Sequence, residues 1–340
     1  MRRLRLCLRI SKRTCAAALS VASIGPLAAL PDFSLAPGGE RASKTVPAVL
    51  VLKTGIHRPV ALVSEGNVIW IANSRSVEEV RASTGQVLKS LVGRKDGVVD
   101  PIALAIRGDT LWVLNDSSVA RIDTKTMSVT SYASQKAHLD QPSSLGVSGD
   151  TAFVGNSGNS SVVALRGSTV LKAPTVRHLS FPDSIVVGDG RVFVANQGNA
   201  TLSVLSPASL KLLTSLDPGY GLSMPSAMLA IGGNLWIVNS GEASVSVIRM
   251  TNYRLVHYRQ ECAVCGYRRP DAIATAGGKV YVANAGSNSI GVLTVGAKVT
   301  GFLRGEEYDL SYPDALAVAA GRLWIANWAT SSVVGVEIPK

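Results

Sequence analysis

The sequence has few of the residues that most catalytic centres need. Only four histidines occur in 340 residues, and they are scattered at His57, His138, His178 and His257. Neither a Ser-His-Asp nor a Cys-His arrangement can be argued from their spacing, and no glycine-rich phosphate-binding loop is present. Two of the four cysteines, Cys7 and Cys15, fall in the first 15 residues. The sequence therefore favours a non-enzymatic role and predicts no catalytic residues and no cofactor.

Acidic residues are missing from the first 31 positions, which have a composition unlike that of the rest of the chain. Six basic residues between Arg2 and Arg13 precede a small and apolar stretch, Cys15 to Leu30, which Gly25 and Pro26 interrupt. A basic head followed by a short apolar run is typical of a secretory signal. We therefore predict a signal segment over 1–36, with an uncleaved anchor as the alternative, and a linker over 37–47. The expected location is secreted, or the cell envelope or periplasm.

Charge is also sparse, at 17% of residues, although the formal net charge is +11. Removing residues 1–36 roughly halves that net charge, so the remaining chain is only mildly basic. It gives no strong argument for nucleic acid, and we expect none as a partner. Membrane contact is expected only if the N-terminal segment stays uncleaved, and the protein is expected to be a monomer.

A repeat of 40–45 residues fills the chain from residue 48 to residue 340. Each copy begins with a proline that is followed two positions later by a small residue: Pro59, Pro101, Pro142, Pro182, Pro225, Pro270 and Pro313. Each has an aromatic residue in an apolar strand: Trp70, Trp112, Phe153, Phe193, Trp236, Tyr281 and Trp324. An asparagine stands three residues after each aromatic: Asn73, Asn115, Asn156, Asn196, Asn239, Asn284 and Asn327.

Each copy is predicted to form four strands, A to D, in one sheet. Strand B is apolar at consecutive positions, so both of its faces must be buried, as they are when sheets stack around an axis. The seventh copy stops after strand C, and an extra strand, Ala48 to Lys53, precedes the first proline. We expect that strand to complete the last sheet. The predicted fold is an all-β, seven-bladed β-propeller with four-stranded blades, closed by the N-terminal strand.

Two segments carry a resemblance to a known family. The chain resembles the YVTN repeat, which is also seen in YncE-like propellers, in Phe193-Val-Ala-Asn196-Gln-Gly-Asn-Ala-Thr-Leu-Ser-Val204 and in Tyr281-Val-Ala-Asn284-Ala-Gly-Ser-Asn-Ser-Ile-Gly-Val292. The resemblance covers residues 48–340 and implies the propeller fold. It implies little about activity, because propeller families include enzymes, binders and scaffolds.

The residues repeated in every copy are expected to serve the blades. Each asparagine precedes a turn residue, and we predict that its side chain accepts hydrogen bonds from the backbone amides that follow, as in an Asx turn. The aromatic residues are predicted to form the core between blades. Function should therefore lie where copies differ, on the face that carries the D–A and B–C loops.

Three copies place an acidic residue directly after the proline, Asp183, Asp271 and Asp314. Carboxylates at the start of the innermost strands could hold a divalent metal near the axis, as lactonase-type propellers do, or each could cap its own turn. Streptogramin lyases have a similar repeat and use His and Glu on the loop face, but here the residue after strand B is Asn in every copy. A metal-dependent hydrolase or lyase at the axis is thus an alternative function.

The loop before the sixth proline is unusual in composition. It contains Arg259, Cys262, Cys265, Tyr267, Arg268 and Arg269. Because a zinc site needs about four ligands and no second cysteine pair is nearby, a Cys262–Cys265 disulfide is the favoured interpretation in an exported protein. The arginines and the tyrosine suit an anionic or aromatic ligand, and a solvated loop is the alternative.

Trp328 stands after the last asparagine, where the other copies have small or polar residues. An extra tryptophan on a loop face is a candidate binding anchor. The leading hypothesis is an exported binding module for an unknown protein or a small anionic or aromatic ligand. The metal-dependent enzyme is the second hypothesis, and a DNA-binding YncE-like propeller is the third.

Overall fold

The computed structural model describes residues 49–133, 137–166, 169–172, 178–259 and 269–338. These residues form 28 strands in seven four-stranded antiparallel sheets. The first strand is β1 (Val49–Leu52), and blade 1 comprises β2 (Ala61–Glu65), β3 (Val68–Ala72), β4 (Ser76–Arg81) and β5 (Gln86–Val92). Blade 2 comprises β6 (Pro101–Arg107), β7 (Thr110–Asn115), β8 (Ser118–Asp123) and β9 (Val129–Ala133).

The next three blades repeat this order. Blade 3 comprises β10 (Pro142–Ser148), β11 (Thr151–Asn156), β12 (Ser161–Arg166) and β13 (Thr169–Lys172). Blade 4 comprises β14 (Pro182–Gly188), β15 (Arg191–Asn196), β16 (Thr201–Leu205) and β17 (Leu212–Leu216). Blade 5 comprises β18 (Pro225–Ile231), β19 (Asn234–Asn239), β20 (Ser244–Arg249) and β21 (Leu255–Arg259).

The last two blades complete the ring. Blade 6 comprises β22 (Pro270–Ala276), β23 (Lys279–Asn284), β24 (Ser289–Thr294) and β25 (Val299–Leu303). Blade 7 comprises β26 (Pro313–Ala319), β27 (Arg322–Asn327), β28 (Ser332–Glu337) and the N-terminal strand β1. The prediction of a seven-bladed β-propeller is therefore confirmed. None of the helical segments among the described residues is long and apolar enough to cross a bilayer.

The ring closes through the two ends of the repeat region, as expected. Strand β1 pairs antiparallel with β28, with Leu50 opposite Gly335 and Leu52 opposite Val333. The same two leucines pack against the buried cluster that contains Trp324. The innermost strands of neighbouring blades contact each other around the whole ring, including those of blades 7 and 1.

The core lies between the blades, and the repeated aromatic residues fill it. All seven are at most 3% exposed. Trp70 of blade 1 packs against Leu104 and Leu111 of blade 2, and Trp324 of blade 7 packs against Leu62 and Ile69 of blade 1. The predicted role of these residues as core between blades is confirmed.

Strand order determines which loops share a face. Because successive strands are antiparallel, the D–A and B–C loops lie on one side of the ring and the A–B and C–D turns lie on the other. The first side is called the D–A/B–C face below, and the second is called the A–B/C–D face.

Candidate functional site

The repeated asparagines fix the D–A loops rather than the turns that follow them. The Asn115 Oδ1 accepts a hydrogen bond from the Val99 backbone N–H (2.9 Å), and its Nδ2 donates to the Gly97 carbonyl (2.9 Å) and to Ser118 Oγ (3.1 Å). In blades 1, 3, 4, 5 and 7, Oδ1 likewise accepts a hydrogen bond from the backbone N–H of the residue sixteen positions earlier. The Asx turn onto following amides was therefore the wrong prediction. In blades 1–5 and 7 the asparagine instead ties the loop before its blade to the start of strand C.

The residue before each proline is held in a left-handed conformation. All seven have φ between 46° and 55°: Arg58, Asp100, Gln141, Phe181, Met224, Arg269 and Tyr312. In blades 2–7 the carbonyl of this residue accepts the backbone N–H of the residue after the asparagine, at 3.0–3.2 Å. The residue before the proline thus has a fixed backbone and a side chain of any chemistry.

Neighbouring blades also secure this ring of residues, called the pre-proline ring below. The Tyr312 N–H donates to Asn288 Oδ1 of blade 6 (2.7 Å), and the Arg58 N–H donates to Ser331 Oγ of blade 7 (3.2 Å). A left-handed residue other than glycine costs roughly 1–2 kcal/mol, so these bonds offset local strain. The ring positions its side chains on the D–A/B–C face with little backbone freedom.

Two arginines, two aromatic residues and one aspartate form a continuous row on this face, across blades 6, 7 and 1. The Arg58 guanidinium lies over the Trp328 ring (5.4 Å to the centroid), and the Trp328 and Tyr312 rings are 5.7 Å apart and tilted by 52°. The Arg269 guanidinium lies over the Tyr312 ring (5.2 Å), and its Nε is 3.5 Å from Asp271 Oδ2. These five residues are called the Arg–aromatic row below.

The row has the chemistry of a recognition surface. Arg58 and Arg269 are exposed, whereas Trp328 and Tyr312 are half-buried. Stacking on a ring leaves the edge of a guanidinium available for bidentate hydrogen bonds to a carboxylate or phosphate. The row can therefore hold an anionic group next to an aromatic or apolar group.

The predicted residues Trp328, Arg269 and Asp271 are brought together by the fold. Arg58 and Tyr312 complete their row and were not predicted. Both occupy the pre-proline ring, so their place directly before a repeated proline was the sequence feature that could have identified them. Cys262, Cys265, Tyr267 and Arg268 lie outside the described residues, as does the side chain of Arg259 at the end of β21, so the predicted disulfide and those ligand contacts remain predictions.

The three predicted aspartates start innermost strands in blades 4, 6 and 7. Each is the extra residue of a β-bulge directly after the proline. Asp183 is buried, at 6% exposure, and its Oδ2 accepts a hydrogen bond from Gln197 Nε2 of the same blade (3.3 Å). The bulge residues of blades 3 and 5, Ser143 and Ser226, reach the carbonyls of Pro182 and Pro270 in the next blade.

No three acidic, histidine or cysteine side chains among the described residues lie close enough together to hold a metal ion. Asp183, Asp271 and Asp314 are therefore not gathered into one ligand set. We expect millimolar calcium or micromolar zinc to shift the melting temperatures of the wild type and of Asp183→Asn equally, to within about 1 °C, because a ligand stabilises only when it binds the folded state. Differential scanning fluorimetry with and without each ion checks this. A saturable rise that Asp183→Asn removes would contradict it.

Two tyrosines on the same face keep their protons at neutral pH. Burial raises the pKa of Tyr258, and its hydrogen bond to Glu242 Oε2 (2.8 Å) adds to the rise. Burial, and then the charge of Glu307, raise the pKa of Tyr308. Both hydroxyl groups therefore remain neutral hydrogen-bond donors and do not serve as bases.

Comparison with solved structures supports the fold. Virginiamycin B lyase from Staphylococcus aureus superposes with a TM-score of 0.72 at 16% identity, over 86% of this chain and 99% of that one. The WD40 propeller domain of Doa1 gives 0.68 at 9% identity, over 87% and 97%. BamB from Moraxella catarrhalis gives 0.54 at 16% identity, over 82% and 84%.

Identities this low show a shared propeller fold alone and carry no information about activity. No protein-family model matches the sequence, and no curated protein matches it. The resemblance to the YVTN and YncE-like repeat is therefore shown only at the level of the seven-bladed propeller.

Proposed function

We propose that this protein is an exported, non-catalytic binding module whose Arg–aromatic row recognises a partner that presents an anionic group beside an aromatic or apolar one. The observation that carries the proposal is the stacking of Arg58, Trp328, Tyr312 and Arg269 across three blades. Arginine and aromatic residues are the side chains most enriched at binding hot spots. Export rests on the basic and apolar segment over 1–36.

The arrangement favours binding over catalysis because its charged side chains are held in place by their neighbours. Each charged member of the row already has an aromatic or carboxylate neighbour within the row, which fixes its position. Such contacts pre-organise a surface for a partner, and they reduce the side-chain entropy lost on binding. A short peptide segment with an acidic residue next to an aromatic one fits this surface.

Peptide display against the immobilised full chain tests the proposal. We expect enrichment of peptides that combine Asp or Glu with an aromatic residue. For an enriched peptide, Trp328→Ala is expected to weaken binding by about thirtyfold, because a central aromatic anchor typically contributes about 2 kcal/mol. Isothermal titration calorimetry with synthetic peptide measures the loss.

Matched controls come from the repeat itself. Asp116→Ala changes the position in blade 2 that corresponds to Trp328, and Gln141→Ala changes the pre-proline position of blade 3. Both are expected to leave the affinity within about twofold, since neither residue contacts the row. Equal affinity of the wild-type and Trp328→Ala chains for every enriched peptide would refute the proposal.

A further inference from the structure

The A–B/C–D face has a sector of uncompensated positive charge in blades 4–6. The turns of these blades are described in full, and they contain five basic residues without an ion-pair partner among the described residues: Lys211, Arg249, Arg254, Lys279 and Lys298. Their one carboxylate is Asp189, which is paired with Arg191 at 3.1 Å. The turns of blades 5 and 6 have no acidic residue at all.

Other sectors of the same face are more nearly balanced. In blade 2, Lys125 is paired with Asp109, and in blade 7, Arg322 is paired with Glu337. The excess of positive charge is therefore local to three neighbouring blades.

The same three blades expose apolar side chains beside these charges. Leu213, Leu255 and Val295 are 53%, 41% and 52% exposed. Each lies within three residues of a basic residue at a C–D turn: Leu213 follows Lys211, Leu255 follows Arg254, and Val295 precedes Lys298. These six residues are called the C–D turn patch below.

A tyrosine borders the patch. Tyr253 is half-buried in the C–D turn of blade 5, and the Arg191 guanidinium lies 5.6 Å from its ring centroid. Tyrosine is enriched at membrane interfaces, where its ring meets acyl chains and its hydroxyl stays among the headgroups.

We propose that the C–D turn patch binds the surface of an anionic phospholipid bilayer. Three adjacent turns each present a cation for lipid phosphates and an aliphatic side chain for the acyl boundary, which is the combination that peripheral membrane proteins use. Nucleic acid would attract the same cations, but it offers no apolar layer for Leu213, Leu255 and Val295. The observations therefore favour a bilayer.

When the A–B/C–D face lies against the lipid, the opposite D–A/B–C face points away from the bilayer. The Arg–aromatic row is on that opposite face. Lipid binding and partner binding would then proceed on one molecule without competition. The membrane proposal does not depend on the row, since the two surfaces share no residue.

Flotation of the full chain with vesicles tests the proposal. The vesicles are phosphatidylcholine alone, and phosphatidylcholine mixed with phosphatidylglycerol. We expect binding only to the mixed vesicles, and a loss of about tenfold or more in the partition coefficient for the triple variant Lys211→Gln, Arg254→Gln, Lys298→Gln. Every variant keeps the same residues 1–48, so any contribution of that segment is common to all.

A matched control separates the effect of the C–D turn patch from the effect of net charge. The triple variant Arg75→Gln, Arg94→Gln, Lys95→Gln removes the same charge from exposed positions on the D–A/B–C face, and it is expected to change the partition coefficient by less than about twofold. Equal losses in the two triple variants, or no loss in either, would overturn the proposal.

An apolar variant distinguishes lipid from nucleic acid. The triple variant with Leu213→Ser, Leu255→Ser and Val295→Ser leaves every charge in place. It is expected to reduce vesicle binding at least about fivefold. Val92→Ser, an equally exposed residue on the other face, is expected to have no effect. Unchanged vesicle binding in the apolar variant, with duplex DNA binding lost in the patch charge variant, would assign the patch to nucleic acid instead.

Discussion

Replacing Asn115 with alanine is expected to lower the free energy of unfolding by about 3 kcal/mol. The side chain is 1% exposed and makes three hydrogen bonds that join the D–A loop to the B–C hairpin. Each bond contributes about 1 kcal/mol, and alanine leaves the Val99 N–H and the Gly97 carbonyl without these partners. Urea unfolding followed by tryptophan fluorescence measures the change.

Asn67 provides the matched control. It also bridges a turn with both ends of its amide, accepting from the Ser83 N–H (2.9 Å) and donating to Ser83 Oγ (3.0 Å), but it is exposed. Asn67→Ala is expected to cost less than about 1 kcal/mol, because water replaces both bonds. Similar losses at the two positions would contradict the role assigned to Asn115.

The variant Asn115→Asp tests the contribution of the Asn115 Nδ2 donor separately. A carboxylate keeps the acceptor for Val99 but points an oxygen at the Gly97 carbonyl, and only the protonated form can donate there. The folded state would raise the pKa of this aspartate, so the deficit relative to the wild type is expected to shrink as the pH falls toward 4. A deficit that does not change with pH would show that the lost donor is not the cause.

Deleting residues 1–53 is expected to destabilise the ring by about 3 kcal/mol or more. The deletion removes β1 and with it the ladder to β28 and the packing of Leu50 and Leu52 against the Trp324 cluster. The partial burial of Leu50 and Leu52 and the backbone hydrogen bonds between β1 and β28 together account for about 3 kcal/mol. It also leaves β28 as an open edge, which is a template for association.

Deletion of residues 1–45 is the control, because it leaves β1 intact. We expect its melting temperature to equal that of the full chain and its elution on size exclusion to be monomeric. The longer deletion is expected to melt at least about 5 °C lower and to elute partly as larger species. Equal melting temperatures for the two deletions would mean that the N-terminal strand does not hold the ring closed.

The blade architecture could be predicted because its signals repeat. The proline, the aromatic and the asparagine recur in every copy, and the missing last strand was evident from the position at which the seventh copy ends. The partners of the asparagines could not be predicted from local turn chemistry. They lie sixteen to eighteen residues earlier, across a loop whose path only the folded blade defines.

The Arg–aromatic row was only partly predictable for a related reason. Trp328 was evident as a departure from the repeat, whereas Tyr312 and Arg58 occupy a position whose residue type varies from blade to blade. A left-handed residue before proline is also disfavoured by local sterics, so no local rule predicts it. Hydrogen bonds from the B–C turn of the same blade, and for Tyr312 and Arg58 from the preceding blade, hold that conformation, and they form only when the D–A loop meets those turns.

Pairing of β1 with β28 also determines when the protein can finish folding. Of the strands in the ring, the one that completes blade 7 is synthesised first, and its partner β28 is synthesised last. Blade 7 therefore cannot assemble until translation has delivered residues 332–337, whereas blades 1–6 each consist of consecutive strands. Contacts between distant parts of a chain slow folding, so closure is expected to be the late step of a ring that otherwise builds blade by blade. A nascent chain held short of that point keeps β1 unpaired and the ring open between blades 7 and 1.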